Sequence, residues 1–378
     1  MIDRPHLIRR VETALRDNPA VTILGPRQCG KTTLARLIAG KRRSHYFDLE
    51  DPVDGRQLDH PLVALEPLRG LIILDEIQRK PKLFEILRVL IDRPKARTKF
   101  LLLGSASPLL VRGASESLAG RTALVHMGGF ELRDVGCENS RKLWLRGGLP
   151  RSYLARSHGA SMSWRESFIQ TFLERDVPQL GFTIPAARVR RFWMMIAHYH
   201  GGIWNGAEIA RSLGRGEKAV RGYLDLLSGA FVVRQLPPWF ENISKRQVKS
   251  PKVYLRDTGL LHALLDVTDQ RQLLGHPKAG ASWEGFALEQ VLQVTGARSA
   301  FFWATYSGAE IDLVLSRGGK RIGFEFKLAD APRMTRSIHV AMEDLRLHRV
   351  YVVYPGDRSF PLGQNVQALA ITDLGTLA

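Results

Sequence analysis

The sequence predicts an α/β protein whose first domain is built on a parallel sheet, and three observations lead there. Short apolar runs alternate with amphipathic stretches through residues 1–135. One run opens directly onto the loop GPRQCGKT, and another, LIILDE, ends in two adjacent carboxylates. Buried strands alternating with helical patterns are the signature of parallel strands joined by crossover helices.

The runs VTIL (21–24), HYFDLE (45–50), LIILDE (71–76) and KFLLLGS (99–105) read as strands, and ALVHMG (123–128) as a fifth. Helical periodicity falls between them at 31–40 and 82–92, with Pro81 where a first turn tolerates it. Residues 140–200 lose the strand signal. Phe168, Phe172 and Leu173 fall at helical spacing within 163–177, and 189–199 read as a mostly buried helix. Between 205 and 236, Ala207, Ala210 and Leu213 form the inner face of one helix, and Gly214 suits a tight turn. Val220, Tyr223, Leu224 and Leu227 face inward from a second helix, and FVVRQL reads as the first strand of a wing. Strands return at 252–257, 310–315, 321–328 and 349–354. The expected division is a parallel-sheet domain at 1–135, a helical and winged-helix domain at 136–245, and a C-terminal α/β domain at 246–378.

Composition narrows the classes. With 44% hydrophobic and 24% charged residues in 378, the chain can bury sizeable cores. No apolar run reaches the roughly 18 residues of a membrane span, and MIDRPHLIRR lacks the apolar stretch of a secretory leader. Two cysteines, Cys29 and Cys137, cannot build a disulfide framework. A cytoplasmic protein without membrane attachment is expected. Lys and Arg total 55 against 37 Asp and Glu, a net charge of +18. That excess favours a polyanion, because each phosphate contact releases condensed counterions. DNA is the expected partner.

Gly25, Pro26, Arg27, Gln28, Cys29, Gly30, Lys31 and Thr32 spell GxxxxGK[ST] between an expected strand and an expected helix, with Thr33 next in the helix. Glycines let the backbone curl so that its N–H groups converge on phosphate oxygens, and the helix adds its positive end. Lys31 is placed to reach the terminal phosphates of ATP, and Thr32 to ligate Mg²⁺. LIILDE would deliver Asp75 to the Mg²⁺ and Glu76 to the attacking water at the same sheet edge. FLLLGSAS ends a further strand in Ser105, where a hydroxyl can sense the terminal phosphate. Arg112 or Arg121, the latter preferred, would act on a neighbour's nucleotide as an arginine finger.

Together GPRQCGKT, LIILDEIQ and LLLGSAS resemble AAA-type P-loop ATPases in order and spacing. FLERDV (172–177), KVYLRDTGLL (252–261) and WEGFALEQ (283–290) resemble a prokaryotic family that joins such an ATPase to a C-terminal nuclease-like domain. This resemblance covers nearly the whole chain. GAEIDLVL and GFEFKL set Asp312 on one strand and Glu325 and Lys327 two apart on the next. The arrangement resembles the PD-(D/E)XK restriction-endonuclease-like superfamily. It implies a metal held by Asp312 and Glu325 with Lys327 beside the reacting phosphate, and Glu284, on an expected helix, is a further candidate ligand. The competing reading is a hairpin in which Glu325 is simply salt-bridged to a neighbouring base.

Arg215, Lys218 and Arg221 lie on or before the second helix of the helix–turn–helix and are the expected DNA contacts. The resulting expectation is a DNA-dependent ATPase that needs ATP and Mg²⁺ and remodels or moves along DNA, with fork or junction forms as targets. Rings complete the site when a neighbour supplies the arginine, so a homo-oligomer, for example a hexamer, is expected. Two other readings stay open: an ATP-gated metal-dependent nuclease, and a nucleotide-switched regulatory or defence scaffold that binds a protein.

Overall fold

Five apolar runs of the first third become five parallel strands, and helices follow the first three of them and return the chain to the sheet. The computed structural model describes residues 2–93, 98–105, 116–180, 182, 184–241, 247–297 and 299–377. Contacts divide the chain into one unit of Met1–Gly129 with Gly229–Phe231, and a second of Phe130–Ser228 with Val232–Ala378.

The first unit runs α1 (Pro5–Asp17), β1 (Ala20–Gly25), α2 (Lys31–Ala39), β2 (Ser44–Asp48), β3 (Leu71–Asp75), α3 (Leu83–Ile91), β4 (Lys99–Ser105) and β5 (Thr122–His126). The sheet order is β2-β3-β4-β1-β5, and every pairing is parallel. β1 and β3 are buried along their whole length, as strands covered on both faces must be. Leu83, Phe84 and Leu87 of α3 pack with Ile72, Leu74, Phe100 and Leu102 in one core. Each such side chain withdrawn from water contributes about 1.5–3 kcal/mol. Because β4 lies between β1 and β3, the carboxyl ends of three strands stand side by side, where ligands bind in open α/β sheets.

The second unit begins with short helices and the longer α4 (His158–Thr171), then α5 (Ala186–His198), β6 (Gly202–Ile203), α6 (Gly206–Leu213), α7 (Glu217–Gly229), β7 (Val233–Leu236) and β8 (Lys252–Leu255). β6, β8 and β7 form a three-stranded antiparallel sheet in that order. Asn205 caps α6 by accepting from the Glu208 N–H, and Gly214 ends it at φ 61°, a left-handed turn suited to glycine. KVYLRD, grouped by sequence with the C-terminal strands, is the central strand of this middle sheet.

Beyond it come α8 (Thr258–Leu264), α9 (Ala279–Thr295), β9 (Ala300–Ala304), β10 (Glu310–Arg317), β11 (Lys320–Phe326), α10 (Arg336–Asp344), β12 (Arg349–Tyr354), β13 (Phe360–Gly363) and β14 (Val366–Ala370). They give a mixed six-stranded sheet ordered β13-β14-β12-β11-β10-β9. β10 and β11 pair antiparallel through Gly318 and Gly319, both at positive φ, as a two-residue hairpin requires. Among the described residues no helix is long and apolar enough to cross a membrane.

Two of the stretches that mark the family resemblance tie this unit together. Asp257 caps α8 through the Leu260 N–H and also accepts from Gly148 and Leu149 N–H. Glu289 is buried on α9 between Arg234 and Arg256, which hold its carboxyl down at about 2 against the cost of burial. His200 and His262 are enclosed, His262 reaching the Leu145 carbonyl at 2.9 Å and Ser282 Oγ at 2.8 Å. Burial pushes both imidazoles down from 6.5 to about 3. The folded state therefore refuses protons that the unfolded chain takes up below 6.5, and their contribution to stability is lost as pH falls from 6.5 toward 3. The melting temperature should drop measurably between pH 7.5 and 5.5; a flat profile over that range would contradict the neutral, enclosed imidazoles.

Candidate functional site

The phosphate loop grows from the end of β1. Gln28 at φ 59° and Gly30 at φ 100° turn the backbone into the left-handed region on either side of buried Cys29. Such alternation makes an anion-binding concavity, and Gly30 delivers the chain into α2. Gly25 is needed for another reason: a Cβ there would lie 2.1 Å from the Met127 carbonyl oxygen. Gly25→Ala should cost about 1–3 kcal/mol through displaced backbone and weaken nucleotide binding, checked by thermal unfolding and nucleotide titration.

Lys31 is buried, and its ammonium donates to the carbonyls of Gly25 at 3.1 Å and Pro26 at 2.9 Å. Thr32 donates its hydroxyl to Asp75 Oδ2 at 2.7 Å, and Tyr46 on β2 donates to the same oxygen at 2.5 Å. The Glu76 N–H reaches Asp75 Oδ1 at 3.0 Å. Burial lifts Asp75 above the ordinary carboxylate range, with the two hydroxyl donors opposing it. Burial and then Asp75 push the Tyr46 phenol up. Glu76 follows at φ 53°, a left-handed conformation costing a non-glycine residue on the order of 1 kcal/mol. Its Oε2 accepts from the Gln78 side-chain amide. Tyr46 and Gln78 are site residues that no motif marks; they enter through the neighbouring strand and the turn after β3.

These groups fit Mg²⁺ with a nucleotide. Thr32 and Asp75 offer hard oxygen donors already within hydrogen-bonding reach of each other, and Lys31 opens the helix that follows the loop. Thr32 and Asp75 would hold the ion, which when bound would supply positive charge against the phosphates. Ser105 pairs with Gly25 in register, so the sensor position is rooted beside the loop; its side chain lies outside the described part, as does Arg112. Arg121 lies at the other end of the sheet. Its carbonyl accepts from Ala20 N–H at the start of β1, about 17 Å of strand from the loop. Its guanidinium grips Asp92 in a two-point pair, 2.6 and 2.8 Å.

The C-terminal carboxylates do assemble, though around a different partner. Asp312 on β10 stands one register step beyond the Leu313–Phe324 pair, next to Glu325 on β11. Its Oδ1 is 2.9 Å from Lys252 Nζ, and its Oδ2 accepts the Phe326 N–H at 3.1 Å. Lys252 also reaches Glu284 Oε1 at 3.2 Å, which takes the Tyr254 hydroxyl at 2.5 Å. Glu325 Oε1 pairs with Lys327 at 2.7 Å, the salt bridge of the competing reading, while its buried Oε2 has no hydrogen-bond partner. Burial, with Asp312 adding to it, raises Glu325 to about 8 and Glu284 to about 7. Burial works against the Lys252 ammonium, yet Asp312, Tyr254, Glu284 and Glu310 together outweigh it and hold the charge. Among the described residues these three carboxylates do not converge as a ligand set. The cluster therefore does not fit the metal that the nuclease resemblance implies: Lys252 already sits between Asp312 and Glu284.

Parallel order, phosphate loop and acidic strand end define the first unit as a P-loop domain of the AAA ATPase type. A family model described as an AAA domain matches residues 17–136. Two domains of unknown function follow, DUF8612 at 137–271 and DUF4143 at 279–374. The chain is 52% identical over 369 residues to the uncharacterized proteins Rv2008c of Mycobacterium tuberculosis and Mb2031c of Mycobacterium bovis, covering 98% of this chain and 84% of each relative. It belongs to their family. A solved structure, the Walker-type ATPase PABY2304 of Pyrococcus abyssi, shares the fold with a TM-score of 0.51 and 16% identity, over 70% of this chain and 96% of that one.

Proposed function

We propose that the chain is a Mg²⁺-dependent ATPase whose turnover is coupled to DNA. The observation that carries the hydrolytic half is the Thr32–Asp75 contact at 2.7 Å with Glu76 next in the chain. It gathers ion ligands and a carboxylate able to take a proton from water at one sheet edge. Lys31 supplies the compensating charge for the phosphates. Hydrolysis in a homo-oligomer would complete the site with a neighbour's arginine; for Arg121 that role requires release of Asp92.

The DNA half rests on α5 to β8, whose order of helix, strand, two helices and two strands supports a winged-helix reading. Arg215, Lys218 and Arg221 are all exposed there, Arg221 sharing its charge with Asp225 at 3.3 Å. The second helix of such a unit can enter the major groove, and the chain's +18 charge supplies long-range attraction. Reversing all three to glutamate should weaken duplex binding at least tenfold and flatten its salt dependence by about three ions. Basal ATP turnover should persist. Unchanged DNA affinity in the folded triple variant would remove this helix from the interface.

A further inference from the structure

Lys252 opens β8 in the middle sheet, yet its ammonium is buried against carboxylates carried by α9 and β10. A 15-residue connection (237–251) separates β7 from β8, so its placement is a long-range feature of the fold. Four observations converge on that ammonium. It touches Asp312 at 2.9 Å and Glu284 at 3.2 Å, with Glu310 at 3.9 Å. The residue is only 4% exposed. Tyr254, two residues along the same strand, secures Glu284 from the same side. Beside them Glu325, 2% exposed, keeps one oxygen without a hydrogen-bond partner.

We infer that Lys252 is a built-in cation standing where a divalent metal would bridge Asp312 and Glu284, so that this cluster binds no metal and cuts no nucleic acid while Lys252 is present. One ammonium supplies a single positive charge and hydrogen bonds, but no Lewis acidity and no bound water to activate. A buried carboxylate is costly unless it is neutralised or paired, and here the chain supplies the partner of Asp312 and Glu284 covalently. Removing the ammonium leaves Asp312 and Glu284 short of a cation. The vacated position should then accept Mn²⁺ or Mg²⁺, hard cations that prefer such oxygens.

The test is Mn²⁺ binding to the full-length chain without nucleotide, followed by electron paramagnetic resonance, for wild type, Asp312→Asn, Lys252→Met and the double variant. Any weak site at the phosphate loop is common to all four and cancels. Wild type and Asp312→Asn should bind alike, whereas Lys252→Met gains one Mn²⁺ per chain that the double variant loses. Thermal unfolding gives a second readout. Mn²⁺ at about 100 times its dissociation constant should raise the melting temperature of Lys252→Met by about 5 °C more than it raises that of wild type. If Asp312→Asn removes a bound Mn²⁺ from wild type, metal and Lys252 coexist and the inference fails. A folded Lys252→Met that gains no Mn²⁺ overturns it equally. Should Lys252→Met not fold, the wild-type and Asp312→Asn comparison decides alone: a shared Mn²⁺ profile supports the inference, and a difference overturns it.

Discussion

Lys31→Ala is expected to reduce ATP turnover by about 10³-fold or more, the cost of removing a preorganised charge from a site where phosphate charge develops. The ammonium is buried and fixed by two carbonyls of its own loop, so little reorganisation separates its resting position from a phosphate nearby. Alanine leaves those carbonyls with fewer donors, a stability loss of about 1–2 kcal/mol. Circular dichroism should therefore show an intact fold while phosphate release falls to background. Turnover within tenfold of wild type would mean that the phosphates bind elsewhere.

Glu76→Gln should separate binding from chemistry. Glutamine keeps the size and one acceptor for the Gln78 amide, but it cannot take a proton from water. Turnover is expected to fall 10²–10⁴-fold, with nucleotide affinity changed less than about threefold because Lys31, Thr32 and Asp75 are untouched. The left-handed φ of 53° at Glu76 aims this one carboxylate differently from Asp75, which precedes it on the strand. A fluorescent-nucleotide titration beside steady-state kinetics checks the split. Retained turnover would assign the base to another group and leave the strained backbone without a catalytic account.

Much of the first unit is legible in the sequence. All five strands and both helices singled out for it form, because a parallel sheet buried on both faces needs uninterrupted apolar runs and the phosphate loop needs its glycines. The residues expected at the nucleotide site are brought to one sheet edge: Thr32 contacts Asp75, with Lys31 opening the helix after the loop and Glu76 next after the strand. Tyr46 is different. It reaches Asp75 only because β2 pairs with β3, and sheet order is not written in local periodicity.

The second unit shows the limit more sharply. The pattern of Asp312, Glu325 and Lys327 locates the hairpin and its charges, but it does not say which cation Asp312 holds. That answer comes from Lys252, 60 residues away and on a strand of another sheet. A lysine opening an apolar run looks like an ordinary solvated strand end until tertiary packing encloses it. Asp257 and Glu289, within stretches that mark the family, are likewise explained by burial: one caps α8 and ties loops, the other neutralises two arginines. Family marks of this kind record how the unit is held together as much as what it does.

The measurement that bears most directly on the account is steady-state phosphate release with Mg²⁺-ATP, with and without single-stranded, duplex and branched DNA, using Lys31→Ala as the blank. Turnover is expected to be absent from the blank, to rise several-fold with DNA, and to lose that rise when Arg215, Lys218 and Arg221 are reversed. Turnover that no form of DNA changes would contradict the coupling, and turnover equal to the blank would contradict the nucleotide site itself.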